Sequence, residues 1–332
     1  MASVIDIIYN MTSACPHPCE ACCVDAAHVF RRGGEVVMRV DGLSKEIRVP
    51  RGDRSTSIYD VAATKLAELG RELTLEQKRQ LLANIDVDGV RLDVSGGDPL
   101  VVSDNITILR EASAKLGRAN VTLTATGSGL AHIDLPELVD LVGEFNFTFD
   151  AATAADVEDR PNAYASANLK VGRKLAALGA ATRAEFPITS ATNDPDHIRR
   201  LYLNLHEAGI DKLLLMRLFP SGRGASIGFK TLSAKEYAAA IGQLRDLERE
   251  FGSSTIRTPM SLPFGAATMV RVRTLVVLLT GKLPPRPVSV GAPEPSFCTS
   301  CQLVCVPRWK PMPMQLTTAE RVSVVASAPV AP

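Results

Sequence analysis

Short apolar runs alternate with longer amphipathic segments along most of the chain. Val4–Asn10 (VIDIIYN), Gly89–Val94 (GVRLDV), Val121–Ala125 (VTLTA), Phe145–Asp150 (FNFTFD), Ala184–Thr189 (AEFPIT) and Lys212–Phe219 (KLLLMRLF) are short, apolar or β-branched, and bounded by Gly, Asp, Asn or Pro. Such runs predict buried strands. Between them the apolar period lengthens to that of a helix. Pro195 to Ala208 carries Ile198, Leu201, Tyr202, Leu205 and Ala208 at helix spacing, with Asp194 as N-cap and Pro195 in the first turn. Tyr164 to Leu178 places Tyr164, Val171, Leu175 and Leu178 on one face and stops at Gly179. Ser233–Phe251 predicts another helix, with Ser233 as its cap, and Ser57–Leu69 and Thr74–Asn84 predict two more after the first strand. Strands alternating with helices imply a parallel sheet with right-handed crossovers. Six strands in this order predict an α/β fold, a partial (β/α)6 TIM-like barrel.

Two segments break the alternation. Glu35–Val40 and Lys45–Val49 are β-rich and joined around Asp41-Gly42, which predicts a β-hairpin inserted at about residues 33–50. After Leu283 the chain is rich in proline and carries three cysteines and the only tryptophan, Trp309. Its last stretch, ERVSVVASAPVAP, is of low complexity and predicts disorder. The expected organisation is a barrel core over 1–224, a barrel-closing helical and strand extension over 225–283, a Cys-containing C-terminal extension over 284–315 and a disordered tail over 316–332.

Composition narrows the function. The chain has 332 residues, 46% hydrophobic and 22% charged, enough for a large core and incompatible with global disorder. Its 37 Lys and Arg nearly cancel its 36 Asp and Glu, so no strong field draws it to nucleic acid or an acidic membrane. Aromatics at 5% are too few for a base-stacking surface. The most apolar run, Leu275 to Leu279, is flanked by Arg271, Arg273 and Lys282, far short of the ~20 residues of a spanning helix. The N-terminus lacks a basic n-region and holds Asp6 within its apolar stretch, unlike a secretory signal. A cytoplasmic location is expected. In a reducing compartment the seven cysteines read as metal ligands or catalytic thiols rather than disulfides.

The cysteines are clustered. Cys15-Pro-His-Pro-Cys19-Glu-Ala-Cys22 is C-x3-C-x2-C, directly after the first predicted strand. Three thiolates on one loop suit a [4Fe–4S] cluster and leave one iron open. A structural zinc site, or plain reduced thiols, are the alternatives that spacing leaves open. Ser95-Gly96-Gly97-Asp98-Pro99-Leu100 follows the second strand. Two glycines there let backbone approach a ligand closely, or simply make a sharp turn.

Together, in this order and on these elements, the two motifs resemble the radical SAM superfamily. That family has C-x3-C-x2-C after its first strand and a Gly-Gly-Glu-Pro-like motif after its second. Here the latter reads Gly-Gly-Asp-Pro, and Ala21 stands where the family usually has an aromatic residue. Asn10-Met-Thr-Ser-Ala leading into Cys15 is similar to the family's approach to its cluster loop. Phe147-Thr148-Phe149-Asp150 followed by Arg160 is similar to its polar strand end and downstream arginine, and Phe219-Pro-Ser-Gly-Arg-Gly224 to its Pro-x-Gly-Arg-Gly stretch. The resemblance covers roughly residues 4–224.

The resemblance implies a [4Fe–4S] cluster on Cys15, Cys19 and Cys22 that binds S-adenosylmethionine (SAM) at its open iron and cleaves it reductively to a 5′-deoxyadenosyl radical. It implies SAM contacts from Gly96, Gly97, Asp98, Pro99, Thr148, Asp150 and Arg160, and a reducing partner such as flavodoxin or ferredoxin. For Arg160 the alternative is a solvated surface charge. Thr124 and Thr126, at the end of the third strand, either face the barrel mouth or are ordinary strand residues. Cys298-Thr-Ser-Cys301-Gln-Leu-Val-Cys305 is C-x2-C-x3-C and suggests an auxiliary iron–sulfur cluster, with a zinc knuckle as alternative. Cys23 reads as a small buried neighbour of the first motif. His17, His28, His132, His197 and His206 are scattered and form no metal pair, and His17, between two prolines, is expected to be exposed. The expected substrate is a small polar metabolite: a nucleoside, sugar or amino-acid derivative. A first strand beginning near residue 4 leaves no preceding peptide-recognition domain, although the hairpin at Glu35–Val49 offers a strand edge. A maturase of a ribosomally made peptide and a non-catalytic iron–sulfur or zinc protein are the competing readings.

Overall fold

The computed structural model describes residues 5–86, 89–131, 133–218, 221–251, 255–257 and 273–277. Strand β1 (Ile5–Thr12) leads through a two-residue strand, β2 (Ala14–Cys15), into the cysteine loop. The chain returns as β3 (Ala27–Arg32), β4 (Glu35–Val40) and β5 (Lys45–Pro50). Helices α1 (Ile58–Glu68) and α2 (Leu75–Ala83) then bring it to β6 (Val90–Gly96). From there come α3 (Ser103–Leu116), β7 (Val121–Thr124), α4 (Gly127–Leu130), α5 (Leu135–Leu141), β8 (Glu144–Thr148) and α6 (Tyr164–Ala177). The last described elements are β9 (Thr182–Ile188), α7 (Pro195–Glu207), β10 (Lys212–Arg217), α8 (Ala234–Phe251), β11 (Thr255–Arg257) and β12 (Arg273–Val277).

The large sheet is parallel throughout, in the order β11-β10-β9-β8-β7-β6-β1-β12. Its central six strands are those that the apolar runs predict, in the predicted order, and they form the partial TIM-like barrel. Two further strands flank them. β11 has three residues, too few to show a period, and β12 overlaps the apolar run near Leu275.

The predicted hairpin forms as β4 and β5, with Asp41 and Gly42 at positive φ (52° and 68°). It is not a free-standing insertion. It belongs to a four-stranded sheet, β2-β3-β4-β5, whose first strand carries Cys15. Val36, Met38 and Val40 of that sheet pack on Ala62 and Leu66 of α1.

Alternation decides which face of the large sheet is apolar. Ile7, Tyr9, Leu92, Val94 and Leu123 meet Ile108 and Leu109 of α3. Phe186, Ile188, Leu213 and Leu215 meet Ile198, Leu201 and Leu205 of α7 and Leu244 of α8. The helices therefore cover the outer face and leave the intervening residues to the inner one. Asp194 caps α7 as predicted, its Oδ2 accepting from the His197 N–H at 2.7 Å. Ser233 and Glu236 exchange hydrogen bonds at the start of α8.

One buried ion pair ties helices to the site. Lys78 Nζ of α2 lies 3.1 Å from Glu72 Oε1, with side-chain exposures of 2% and 1%. Lys78 also donates to Asn105 Oδ1 of α3 at 2.7 Å. Glu72 Oε2 accepts from Thr12 Oγ1 at 3.0 Å and from the Ser13 N–H at 3.4 Å, just before the cysteine loop. Removing one partner strands a buried charge, so Lys78→Met is expected to lower stability by about 3–5 kcal/mol in chemical denaturation. The double variant Glu72→Gln/Lys78→Met is expected to lose less.

Candidate functional site

The cysteine motif lies at the C-terminal end of β1, where parallel α/β sheets place their ligands. Cys15 ends β2, and Cys19 and Cys22 lie on the loop that returns to β3. Cys15 and Cys19 are buried and Cys22 is half-buried. Cys23 is exposed rather than a buried neighbour, because the loop turns outward after Cys22.

That loop is held from across the barrel. The Arg223 side chain is buried and reaches back from the turn after β10. Its Nε donates to the Cys19 carbonyl at 2.8 Å, and its Nη1 to the Ala26 carbonyl at 2.6 Å and Asp25 Oδ1 at 2.8 Å. Gly222 makes room for this approach. Its φ is +55°, and a Cβ there would stand 2.7 Å from the carbonyl oxygens of both Cys22 and Cys23. On the other side the Asp159 carbonyl accepts from the Glu20 N–H at 2.9 Å. In the sequence Arg223 stands out only as part of the Phe219–Gly224 stretch; its task follows from distant backbone that no local pattern records.

The Gly-Gly-Asp-Pro turn packs on the approach to the cysteines. A Cβ on Gly96, whose φ is +132°, would lie 2.4 Å from the Thr12 carbonyl oxygen, and one on Gly97 2.3 Å from that of Ala14. The Gly97 and Asp98 N–H groups donate to those same oxygens at 2.7 and 2.9 Å. The close approach that the glycines permit is thus to the chain's own backbone. Pro99 is buried in the short turn that follows. The Asp98 carboxylate is fully buried and accepts from Thr126 Oγ1, from the Gly129 N–H at 3.1 Å and from the Leu100 N–H at 3.3 Å. Burial pushes its pKa up to about 6 against the pull of these bonds.

The third wall comes from the end of β8. Arg160 Nε donates to Asp150 Oδ2 at 2.6 Å, and its guanidinium lies 5.1 Å from the Tyr164 ring centroid. Its side chain is 13% exposed, so it is not a solvated surface charge. The Cys19 thiol is pushed up by burial, and Arg160 beside it opposes that push. Burial, with Asp98 adding, pushes the Cys15 thiol well up. Asp150 Oδ1 is buried without a hydrogen-bond partner among the described residues. Asp150 lines a small open pocket with Ala21, Arg160, Pro187 and Thr189. Asn168 Nδ2 donates to the Thr148 carbonyl at 2.8 Å and fixes this strand end. His17 is half-buried, not exposed: it bonds Ser128 Oγ at 3.0 Å and meets the Tyr164 ring edge-on at 4.9 Å. The hydroxyls of Thr124 and Thr126 both serve carboxylates, those of half-buried Asp93 and buried Asp98.

Among the described residues no three Cys, His, Asp or Glu side chains converge as a cage for a single ion. Thiolates that each bind a different iron need not converge in that way. Three thiols on one loop, with the Arg160 guanidinium opposing the burial push on Cys19, are a donor set that an iron–sulfur cluster would fit. Cys298, Cys301, Cys305, His132, Phe219 and Pro220 lie outside the described residues. Among the described residues no helix is long and apolar enough to cross a membrane.

No sequence-family profile matches the chain, and no curated protein matches it. Solved structures do. Streptococcus suis SuiB bound to its precursor peptide SuiA is 12% identical, with a TM-score of 0.50, over 78% of this chain and 49% of that one. SuiB bound to S-adenosylmethionine gives 12% identity and a TM-score of 0.50 over 77% and 51%. Coproporphyrinogen III oxidase (HemN) from Escherichia coli, described as a radical SAM enzyme, gives 12% identity and a TM-score of 0.46 over 75% and 53%. The chain spans about half the length of the SuiB structures it matches. What the SuiB matches show is a shared fold.

Two expectations follow from the geometry. Arg223→Met removes the donor from two backbone carbonyls of the loop, and iodoacetamide is expected to alkylate Cys19 at least tenfold faster in the metal-free protein. The folded protein keeps the Asp98 proton to about pH 6, whereas an unfolded chain releases it near pH ~4. Stability from Asp98 is therefore full below pH ~4 and lost as pH rises toward 6. Asp98→Asn is expected to flatten that slope in denaturation measured across the window.

Proposed function

We propose that this chain is a radical SAM enzyme. The observation that carries the reading is the placement of Cys15, Cys19 and Cys22 on one loop at the C-terminal end of the first barrel strand, with the Gly96-Gly97-Asp98-Pro99 turn hydrogen-bonded to the backbone that enters it. When bound on Cys15, Cys19 and Cys22, a [4Fe–4S] cluster would supply one-electron reducing chemistry to SAM.

The chain's own residues bind and orient. Cys15, Cys19 and Cys22 hold three irons. Gly96 and Gly97 offer backbone carbonyls to the methionyl amine, and Asp98, its carboxylate already committed, shapes the turn. Thr148, Asp150 and Arg160 form the facing wall. Arg160 pairs with the methionyl carboxylate, and the free Asp150 Oδ1 accepts a hydrogen bond from the ligand. Arg223 keeps the loop closed and the buried thiolates away from water. A fold match to SuiB with SAM bound supports the cofactor. Cys298, Cys301 and Cys305 hold a second iron–sulfur cluster in this reading, and a flavodoxin or ferredoxin supplies electrons.

The substrate is a small polar metabolite. The second reading, a maturase of a ribosomally made peptide, draws on the fold match to SuiB with its precursor peptide.

The test is anaerobic reconstitution with iron and sulfide, followed by incubation with dithionite and SAM. The expected result is about eight irons per chain, two four-iron clusters, and 5′-deoxyadenosine from the wild type. A Cys15→Ala/Cys19→Ala/Cys22→Ala variant is expected to keep about four irons and form no nucleoside. Stoichiometric zinc without iron would overturn the reading and leave the cysteines as folding staples.

A further inference from the structure

The inner face of the large sheet is polar, and its charges do not balance. Asp93 on β6 stands between neutral partners. Its Oδ1 accepts from Thr122 Oγ1 at 2.9 Å, Thr124 Oγ1 at 3.0 Å and Asn146 Nδ2 at 3.4 Å. Glu144 on β8 takes both nearby cations, the Lys212 ammonium and Arg183 Nη1, the latter at 3.0 Å. Glu185 is left with the other end of the same guanidinium, Nη2 to Oε1 at 3.3 Å. Three carboxylates thus meet two cations among the described residues of this cluster. The surplus negative charge falls on Asp93 and Glu185.

Two further observations mark the same place. Asn146 is 1% exposed, and its Oδ1 has no hydrogen-bond partner among the described residues. The register seats Asn146 between Thr124 and Arg183, so its amide lies in the middle of the polar lattice. Burial pushes the Asp93 and Glu185 carboxyls up, the Arg183 charge opposes both, and the Asp93 charge adds to the push on Glu185. Arg183 Nε, on the residue in register with Asn146, is also buried without a partner among the described residues, so the cluster leaves one acceptor and one donor open while its three carboxylates outnumber its two cations.

We infer that the substrate presents a basic nitrogen, a protonated amine or a guanidinium, to Asp93, Asn146 and Glu185 on the inner face of the barrel. This rests on the proposed reading of the barrel mouth as the reaction site. Glu185 pairs in register with Thr148, so the nitrogen is held directly beneath the wall assigned to SAM. A phosphate or carboxylate at that depth would add to the surplus negative charge, and the Lys212 and Arg183 cations there are already shared among the carboxylates. The basic nitrogen belongs either to a free metabolite or to a side chain of a peptide.

Calorimetric titration of the reconstituted full-length protein tests this. The probes are butylguanidine against butyl phosphate, and acetyl-Gly-Lys-Gly-amide against its norleucine counterpart. At least one cationic probe is expected to bind ten times more tightly than its uncharged or anionic counterpart. A preference for butylguanidine indicates a metabolite, and a preference for the lysine tripeptide indicates a peptide. Glu185→Gln and Asp93→Asn are each expected to weaken that binding about tenfold. The wild-type comparison stands even where a variant fails to fold. Equal or tighter binding of butyl phosphate, or no binding of either cation, would overturn the inference. Nucleoside formation without a cation preference sinks this inference alone. A cation preference without nucleoside formation sinks the radical reading and leaves this one standing.

Discussion

A backbone-to-backbone contact organises the mouth of the barrel. The turn at Gly96–Asp98 lies so close to Thr12–Ala14 that neither glycine can carry a side chain. Through two N–H donors it fixes the course of the chain into Cys15. The buried Glu72–Lys78 pair acts on the same few residues from the helix side, through Thr12 and Ser13. Asp98 continues the chain of constraint outward. By binding Thr126 and the N–H of Gly129 it carries the position of the turn to α4, where Ser128 meets His17 of the cysteine loop. The loop is thus braced at its start, its middle and, through Arg223, its end. Buried polar groups are costly unless satisfied, so such a network holds one arrangement rather than several.

Much of this fold is legible in the sequence, and the reasons are local. The six strands of the barrel show as short β-branched runs, and α7 shows its period, its Asp194 cap and its first-turn proline together. Strand β3 escapes because Ala27–Arg32 follows the cysteines directly and lies between the two-residue β2 and the hairpin strand β4. The role of the hairpin escapes with it. The site divides along the same line. Cysteines at fixed spacing and a Gly-Gly turn are local signals. Arg223, the Asp98–Thr126 bond and the burial of Arg160 depend on partners far away in the chain, and no period reports them. Asp93 and Glu185 leave a faint signal, a carboxylate between two buried apolar residues of its strand.

The small sheet changes what the hairpin means. Cys15 sits on its first strand, and its later strands pack on α1. The cysteine loop is therefore tied to a second, mixed sheet rather than being an appendage of the barrel. Its edge strand β5 carries Lys45, Glu46, Arg48 and Pro50, residues that discourage pairing with another chain.

The grip of Arg223 on Cys19 spans 204 residues, and this sets an order of events in the cell. Synthesis proceeds at about 5–20 residues per second, so the cysteines leave the ribosome roughly 10–40 s before the arginine that closes their loop. During that interval the three thiols sit on an open, hydrated segment. The cysteine loop of this protein is exposed first and sealed last, with an interval between the two that is fixed by the distance along the chain.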